Sequence, residues 1–187
     1  MKEVLIFDCF GVIVTEVSPY WLKRFFKEDE ALIISESIIH KLDTGEYDFD
    51  RTLEELSILT NESIEDIKKD WLQLAHFRED LLEEIKKLRK KYKIVLLSNA
   101  GSSYLNQILE RIDVNEYFDE IIISSDICLS KPNREIFEYA LDKINYPALK
   151  CIFIDDRKIN IEGAKKAFID GILFENTEQF LKELEKY

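Results

Sequence analysis

Residues 1–14, MKEVLIFDCFGVIV, carry the reading on which the fold depends. Val4-Leu5-Ile6-Phe7 is a short apolar run of the kind buried on both faces of a parallel sheet. It delivers Asp8 to the point where that strand ends. Cys9-Phe10-Gly11-Val12 then reads as a turn, with Gly11 available for a backbone angle that other residues avoid. Packing does not account for a carboxylate at the tip of a buried strand, because a lone buried charge is costly unless something compensates it. The plainer alternative is that Asp8 caps the turn.

Further along the chain the same pattern recurs. Ile94-Val95-Leu96-Leu97, Ile121-Ile122-Ile123, Cys151 to Ile154 and Gly171 to Phe174 are apolar runs of strand length. Between them lie helical patterns: Leu81, Leu82, Ile85 and Leu88 on one face; Leu105, Ile108, Leu109 and Ile112 on another; and Ile136, Phe137, Ala140, Leu141 and Ile144 in a helix expected to open at Pro132. Ser124 to Lys131 reads as a loop, a helix is expected to run to about Phe168, and Glu178 to Tyr187 closes the chain as another. Five strands alternating with helices predict an α/β fold: a Rossmann-like parallel sheet of five strands with helices on both faces. Such sheets bind ligands beyond the carboxyl ends of their strands.

Residues 15–77 have a different grammar. Pro19 to Phe26, Ala31 to His40, Asp50 to Thr60 and Ser63 to Phe77 predict four helices, with Asp50 and Asn61 or Glu62 as start signals and Gly45 as a break. The expected division is an α/β core of residues 1–14 and 78–187 and a small all-helical unit of residues 15–77. That unit carries 15 acidic and 7 basic side chains, most of the excess in a chain of net charge −12. So acidic a chain does not suit nucleic acid, whose phosphates require a basic surface.

With 187 residues, 46% apolar and 34% charged, the composition is that of a globular chain with material for a real core. No stretch reaches the length of a membrane span, Asp8 interrupts the only early apolar run so that no signal peptide is read, and the expected location is cytoplasmic. Cys9, Cys128 and Cys151 are too few and too scattered for a disulfide framework or a zinc site; they read as small buried side chains. His40 and His76 have no partnered acid, and Tyr20, Trp21, Phe25 and Phe26 read as packing residues. Arg157 and Lys158 suit either a solvated helix start or an anion.

The polar groups that look out of place all follow buried strands: Asp8 the first, Ser98 and Asn99 the second, Lys131 the loop after the third, Asp155 and Asp156 the fourth. In an open parallel sheet those ends share one rim. Three carboxylates together would repel one another unless a hard divalent cation sat among them, and an oxygen-only set with few ligands suits Mg2+. Lys131 and the amides near Gly101 to Ser103 suit an anionic oxygen cluster such as phosphate.

With these motifs the sequence resembles the haloacid dehalogenase-like hydrolase superfamily, in the branch with a small helical cap after the first strand. Asp8-Cys9-Phe10-Gly11-Val12, Leu97-Ser98-Asn99, Ser130-Lys131-Pro132, and Asp155-Asp156 with Asn160 to Ala164 stand at its four motifs in order. The resemblance implies Asp8 as a nucleophile that forms an aspartyl-phosphate, and Mg2+ held by Asp8, the Phe10 carbonyl, Asp155 and Asp156. It also implies Ser98 and the Asn99 amide on the phosphoryl oxygens and Lys131 as the neutralising charge. Residues 15–77 would be the cap that selects a small phosphorylated substrate.

One position departs from the pattern. Phosphatases of this group usually carry a second Asp, the proton donor, where Phe10 stands, and loss of a general acid typically costs about 100- to 10,000-fold. A substrate whose leaving group needs little help, such as an anomeric sugar phosphate or an acyl phosphate, is therefore expected. An aromatic side chain there also fits a metal-independent 2-haloacid dehalogenase, and the missing acid fits a binding protein with little turnover.

Overall fold

The computed structural model describes residues 1–187. Five strands, β1 Val4–Phe7, β2 Lys93–Ser98, β3 Glu120–Ile123, β4 Cys151–Asp155 and β5 Asp170–Leu173, form one sheet of order β3-β2-β1-β4-β5 in which every pairing is parallel. Parallel neighbours need long crossovers, and here each contains helix. Between β1 and β2 run α1 Ser18–Leu22, α2 Glu28–Ile34, a π-helical turn Ser35–Ile39, α3 His40–Asp43, α4 Phe49–Thr60, α5 Ile64–Leu74 and α6 Glu79–Leu88. The later crossovers carry α7 Ser102–Leu109, α8 Ser124–Ile127, α9 Arg134–Ile144 and α10 Lys158–Lys166, and α11 Thr177–Leu184 follows β5. No helix is long and apolar enough to cross a membrane.

Successive strand residues point to opposite faces, and the two sides of the core divide accordingly. Val4, Ile6, Val95, Leu97, Cys151 and Phe153 pack with Ile136, Phe137 and Ala140 of α9 and Ile161 and Ala164 of α10. Phe137 meets Phe153 edge to face at 5.1 Å between ring centres. Leu5, Phe7, Ile94, Leu96, Ile152 and Ile154 pack on the other face with α6, α7 and α11. Trp21, Leu53, Leu56, Ile67 and Trp71 of the helices between β1 and α6 belong to this second cluster, so the insert shares the core of one sheet face. Trp21 is fully buried beside Trp71, whereas Tyr20 is exposed.

Where helices begin and end differs from the sequence reading, each time through a local hydrogen bond. α1 stops at Leu22 because the amides of Arg24 and Phe25 turn back to Trp21 and Leu22. α2 begins earlier than Ala31, since Glu30 accepts from the Lys27 amide at 3.0 Å and three acids occupy its first turn. Asp48, not Asp50, caps α4 by accepting from the Arg51 amide at 2.7 Å. Asn61 ends α4 in the left-handed region (φ 59°), and Ser63 caps α5. α5 stops at Leu74 because Val14 and Phe77 pair as antiparallel neighbours; Thr15 N–H donates to the His76 carbonyl and Arg78 N–H to that of Ile13, both at 2.9 Å. Ser124–Ile127 is a helical turn rather than loop, after which Cys128 is exposed at φ 53°, unlike buried Cys9 and Cys151. Pro132 lies ahead of α9, which starts at Arg134; α10 ends at Lys166, short of Phe168, and the last strand and helix each begin one residue early.

The insert is fastened to the sheet at a second place. Ser124 Oγ donates to the Asp43 carbonyl and accepts from the Ala100 amide at 2.9 Å. Beside it Gly45 (φ 76°) lies so close to α8 that a Cβ would come within 2.5 Å of the Ser125 carbonyl oxygen. Ser124 is fully buried, so Ser124→Ala strands an amide and weakens the Asp43 carbonyl. Urea unfolding should show a loss of about 1–3 kcal/mol; an unchanged midpoint would show that the link contributes nothing.

Candidate active site

Register brings the acids together. Phe7 pairs with Ile154, so Asp8, just past the end of β1, and Asp155, the last residue of β4, come side by side, and Asp8 N–H donates to the Ile154 carbonyl at 2.8 Å. Asp156 comes next in the chain, and one carboxylate oxygen from each of Asp8, Asp155 and Asp156 falls within 4.8 Å of the others. Gly11 makes room: at φ 91° a Cβ there would lie 2.4 Å from Asp156 Oδ2, so no other residue fits this turn without displacing that carboxylate.

Lys131 reaches the cluster from the segment after α8. Its Nζ donates to Asp8 Oδ1 at 2.5 Å, the Leu97 carbonyl at 2.9 Å and Asp155 Oδ2 at 3.1 Å. Asn99 sets its backbone: Asn99 Nδ2 donates to the Lys131 carbonyl and Asn99 Oδ1 accepts from the Lys131 amide, both at 2.9 Å. Asp155 is steadied by the Arg157 amide at 2.8 Å and by Asn160 Nδ2 at 3.0 Å from each carboxylate oxygen. Asp8 Oδ1 also accepts from the Cys9 amide at 2.6 Å.

Three carboxylates against one ammonium leave the cluster at −2 when all are ionised. Burial, then the negative charge of Asp155, pushes Asp8 well above the usual carboxylate range despite Lys131. Burial and Asp155 likewise raise Asp156. Burial works against the Lys131 ammonium, but Asp8 and Asp155 outweigh it and hold Lys131 above the ordinary lysine value. The donor set therefore fits a hard divalent cation: all oxygen, two charges in excess, and a buried Asp156 Oδ1 with no hydrogen-bond partner.

A cavity of about 430 Å³ opens on the cluster. Asp8, Phe10, Asn99, Lys131, Arg157 and Asn160 line it from the sheet side, while Glu16, Leu22, Ile39, Asp43 and Trp71 line it from the insert. Thus Asp8, Lys131, Asp155 and Asp156 converge as the sequence suggests. Asn99 lies beside them with its side chain committed to Lys131. Ser98 is fully buried, its Oγ without a partner, and is not part of the cavity wall. The Phe10 ring stacks on Tyr104, with 5.8 Å between centres and planes 2° apart. Glu16 and Asp43 are cavity residues that the sequence reading missed, since no spacing links the insert to the strand ends. Asn160 carried a signal, its place in the run after Asp155-Asp156, but no assigned role.

Comparison with known proteins shows what the chain is similar to. The family model of haloacid dehalogenase-like hydrolases matches residues 2–167. The chain is 27% identical to a phosphoglycolate phosphatase of Colwellia psychrerythraea, over 91% of this chain and 83% of that protein. It is also 27% identical to a D-ribitol-5-phosphate phosphatase of Bacteroides thetaiotaomicron, over 98% and 97%. Among solved structures, a HAD family enzyme of Bacteroides thetaiotaomicron in complex with magnesium and inorganic phosphate superposes with a TM-score of 0.80, covering 94% of this chain and 95% of that one at 21% identity.

Asn99→Ala removes both bonds that hold the Lys131 backbone and strands a partly buried amide and carbonyl. Stability should fall by about 1–3 kcal/mol. The Lys131 segment should also gain hydrogen exchange, and unchanged exchange there would show that Asn99 does not position the lysine.

Proposed function

The chain belongs to the haloacid dehalogenase-like hydrolases, and from that premise we propose that it is a magnesium-dependent phosphatase acting on a small phosphorylated metabolite. The observation that carries the reading is the group of buried Asp8 and Asp155 with half-buried Asp156 and a single compensating ammonium. In it Asp8, Asp155, Asp156 and the Phe10 carbonyl would hold the magnesium, which supplies positive charge opposite the phosphoryl oxygens. Asp8 attacks phosphorus and forms an aspartyl-phosphate that water then hydrolyses. Lys131, fixed by Asn99, keeps the Asp8 carboxylate oriented and offsets the charge that gathers during transfer. The Asn99 amide is assigned to the phosphoryl oxygens; Ser98, fully buried and outside the cavity wall, is not. Phosphatases of small phosphorylated compounds among the relatives support the substrate class.

Residues 15–77 are proposed as the cap that selects the substrate, because they supply one wall of the cavity whose other wall holds Asp8. Their acidic excess disfavours highly charged substrates such as nucleoside triphosphates. Phe10 also favours a second reading, metal-free dehalogenation, in which an aromatic residue stands beside the nucleophile. The clustered acids argue against it, because without a cation they only raise one another's proton affinity.

A screen of phosphorylated metabolites should show phosphate release that chelation abolishes and that Asp8→Asn lowers by about 1,000-fold or more. An Asp8→Asn protein as active as the parent would remove the nucleophile. Chloride release from 2-chloropropionate without metal would instead establish the second reading. Magnesium should raise Tm, and raise it less at about pH 5 than at about pH 8, because acids held above their usual range keep protons that the metal must displace. Asp156→Asn should raise the Tm of the metal-free protein by removing a repulsive charge and should abolish the magnesium increment. An increment equal to the parent's would place the ion elsewhere.

A further inference from the structure

We propose that Asp43, carried by the insert, is the acid that protonates the leaving group in the place left empty by Phe10. The proposal rests on the phosphatase reading above and deepens it. The strand end cannot supply the proton: Phe10 has no exchangeable hydrogen, and its ring is engaged with Tyr104. Lys131 is committed to Asp8, Asp155 and the Leu97 carbonyl. Within the cavity that Asp8 lines, Glu16 and Asp43 are the half-buried acids outside the cluster.

The two differ in surroundings. Burial and then the negative charge of Asp156 raise Glu16, with Arg157 opposing them, so an acid of the proposed metal site acts on Glu16. Lys131, Glu16 and Arg157 act on Asp43; neither its carboxylate nor that of Glu16 makes a hydrogen bond or an ion pair, so the distinction lies in the charges around each and in the main chain that carries Asp43. Its backbone is nevertheless fixed, since its carbonyl accepts from Ser124 Oγ and Gly45 packs against Ser125. A carboxyl held in place by its main chain, with its side chain uncommitted in the reaction cavity, is arranged to act on something that enters. Burial pushes Asp43 up to about 7, with Lys131 and Arg157 pulling it down and Glu16 pushing it up. A large protonated fraction near neutral pH suits an acid that must donate and then recover its proton.

The steps balance. Asp8 forms a bond to phosphorus, the bond from phosphorus to the ester oxygen breaks, and that oxygen keeps the electron pair and takes the Asp43 proton, leaving as the alcohol. Water then attacks phosphorus and gives its proton to the Asp43 carboxylate, and the bond to Asp8 breaks with its electron pair returning to Asp8. One water is consumed; alcohol and inorganic phosphate are released, and both carboxyls end as they began. On this account the substrates extend to ordinary alkyl phosphates, beyond the activated esters that Phe10 alone would permit.

The test compares kcat/KM, which reports the step that expels the alcohol, for glycerol phosphate and p-nitrophenyl phosphate with magnesium present. Asp43→Asn should lower the first by 100-fold or more and the second by less than 10-fold, because nitrophenolate leaves without a proton. Asp43→Glu should recover part of the loss. The parent rate on glycerol phosphate should fall as pH rises through about 7, where the acid ionises, and this limb should vanish in Asp43→Asn. Equal losses on both esters, or none on either, would overturn the proposal while leaving the phosphatase reading intact. Should the variant fail to fold, the parent alone decides: a steep dependence of kcat/KM on leaving-group basicity would mean no acid is acting. A parent that releases phosphate from neither ester nor any metabolite overturns the phosphatase reading and this proposal with it.

Discussion

Like charges crowded at the end of buried strands constrain the whole molecule. The register that pairs Phe7 with Ile154 leaves Asp8 and Asp155 no way to diverge, and Gly11 leaves Asp156 pressed against the first turn. A protein that served stability alone would not bury two acids, with a third half-buried beside them, around one amine, since each desolvated carboxylate is costly and its neighbours make it more so. On the function proposed above, the arrangement concentrates negative potential where a divalent cation would sit.

Everything near the cluster serves to hold it against that repulsion. Lys131 bridges two of the acids and a main-chain carbonyl. Asn99 in turn fixes Lys131 from β2, while Asn160 and the Arg157 amide satisfy Asp155 from the start of α10. Each support comes from a different crossover, so the site is assembled only when the sheet is. The two-faced core makes this rigid: alternate strand residues are locked into apolar layers on either side, and strand ends cannot slide without moving those layers.

How much of this was legible in the sequence follows from the range of the interactions. The strands were legible because apolar runs of three or four residues bounded by polar ones have few other uses, and the acids because each followed such a run. The convergence of Asp8, Lys131, Asp155 and Asp156 came from topology that a parallel sheet imposes. Helix ends were misplaced where one side chain decides them: Asp48 rather than Asp50 caps α4, and Asn61 ends a helix instead of opening one. The turn Ser124–Ile127 escaped notice because its role is to receive a distant carbonyl, that of Asp43. Asp43 itself was one acid among fifteen in the insert, and nothing local marks it; only packing of the insert on α8 sets it in the cavity.

The insert leaves the core after Ile13 and returns at Arg78, where the antiparallel Val14–Phe77 bridge is flanked by the Thr15–His76 and Arg78–Ile13 hydrogen bonds. Sixty-odd residues thus depart and re-enter through a single laced neck. Residues of the insert that face the cavity without joining the shared core can change the far wall while the strand termini stay in register, whereas Trp21, Leu53, Leu56, Ile67 and Trp71 are tied to the sheet face they help to cover. Asp43 is held more firmly than its neighbours on that wall, because its carbonyl is anchored by Ser124 while it lines the cavity that Asp8 also lines.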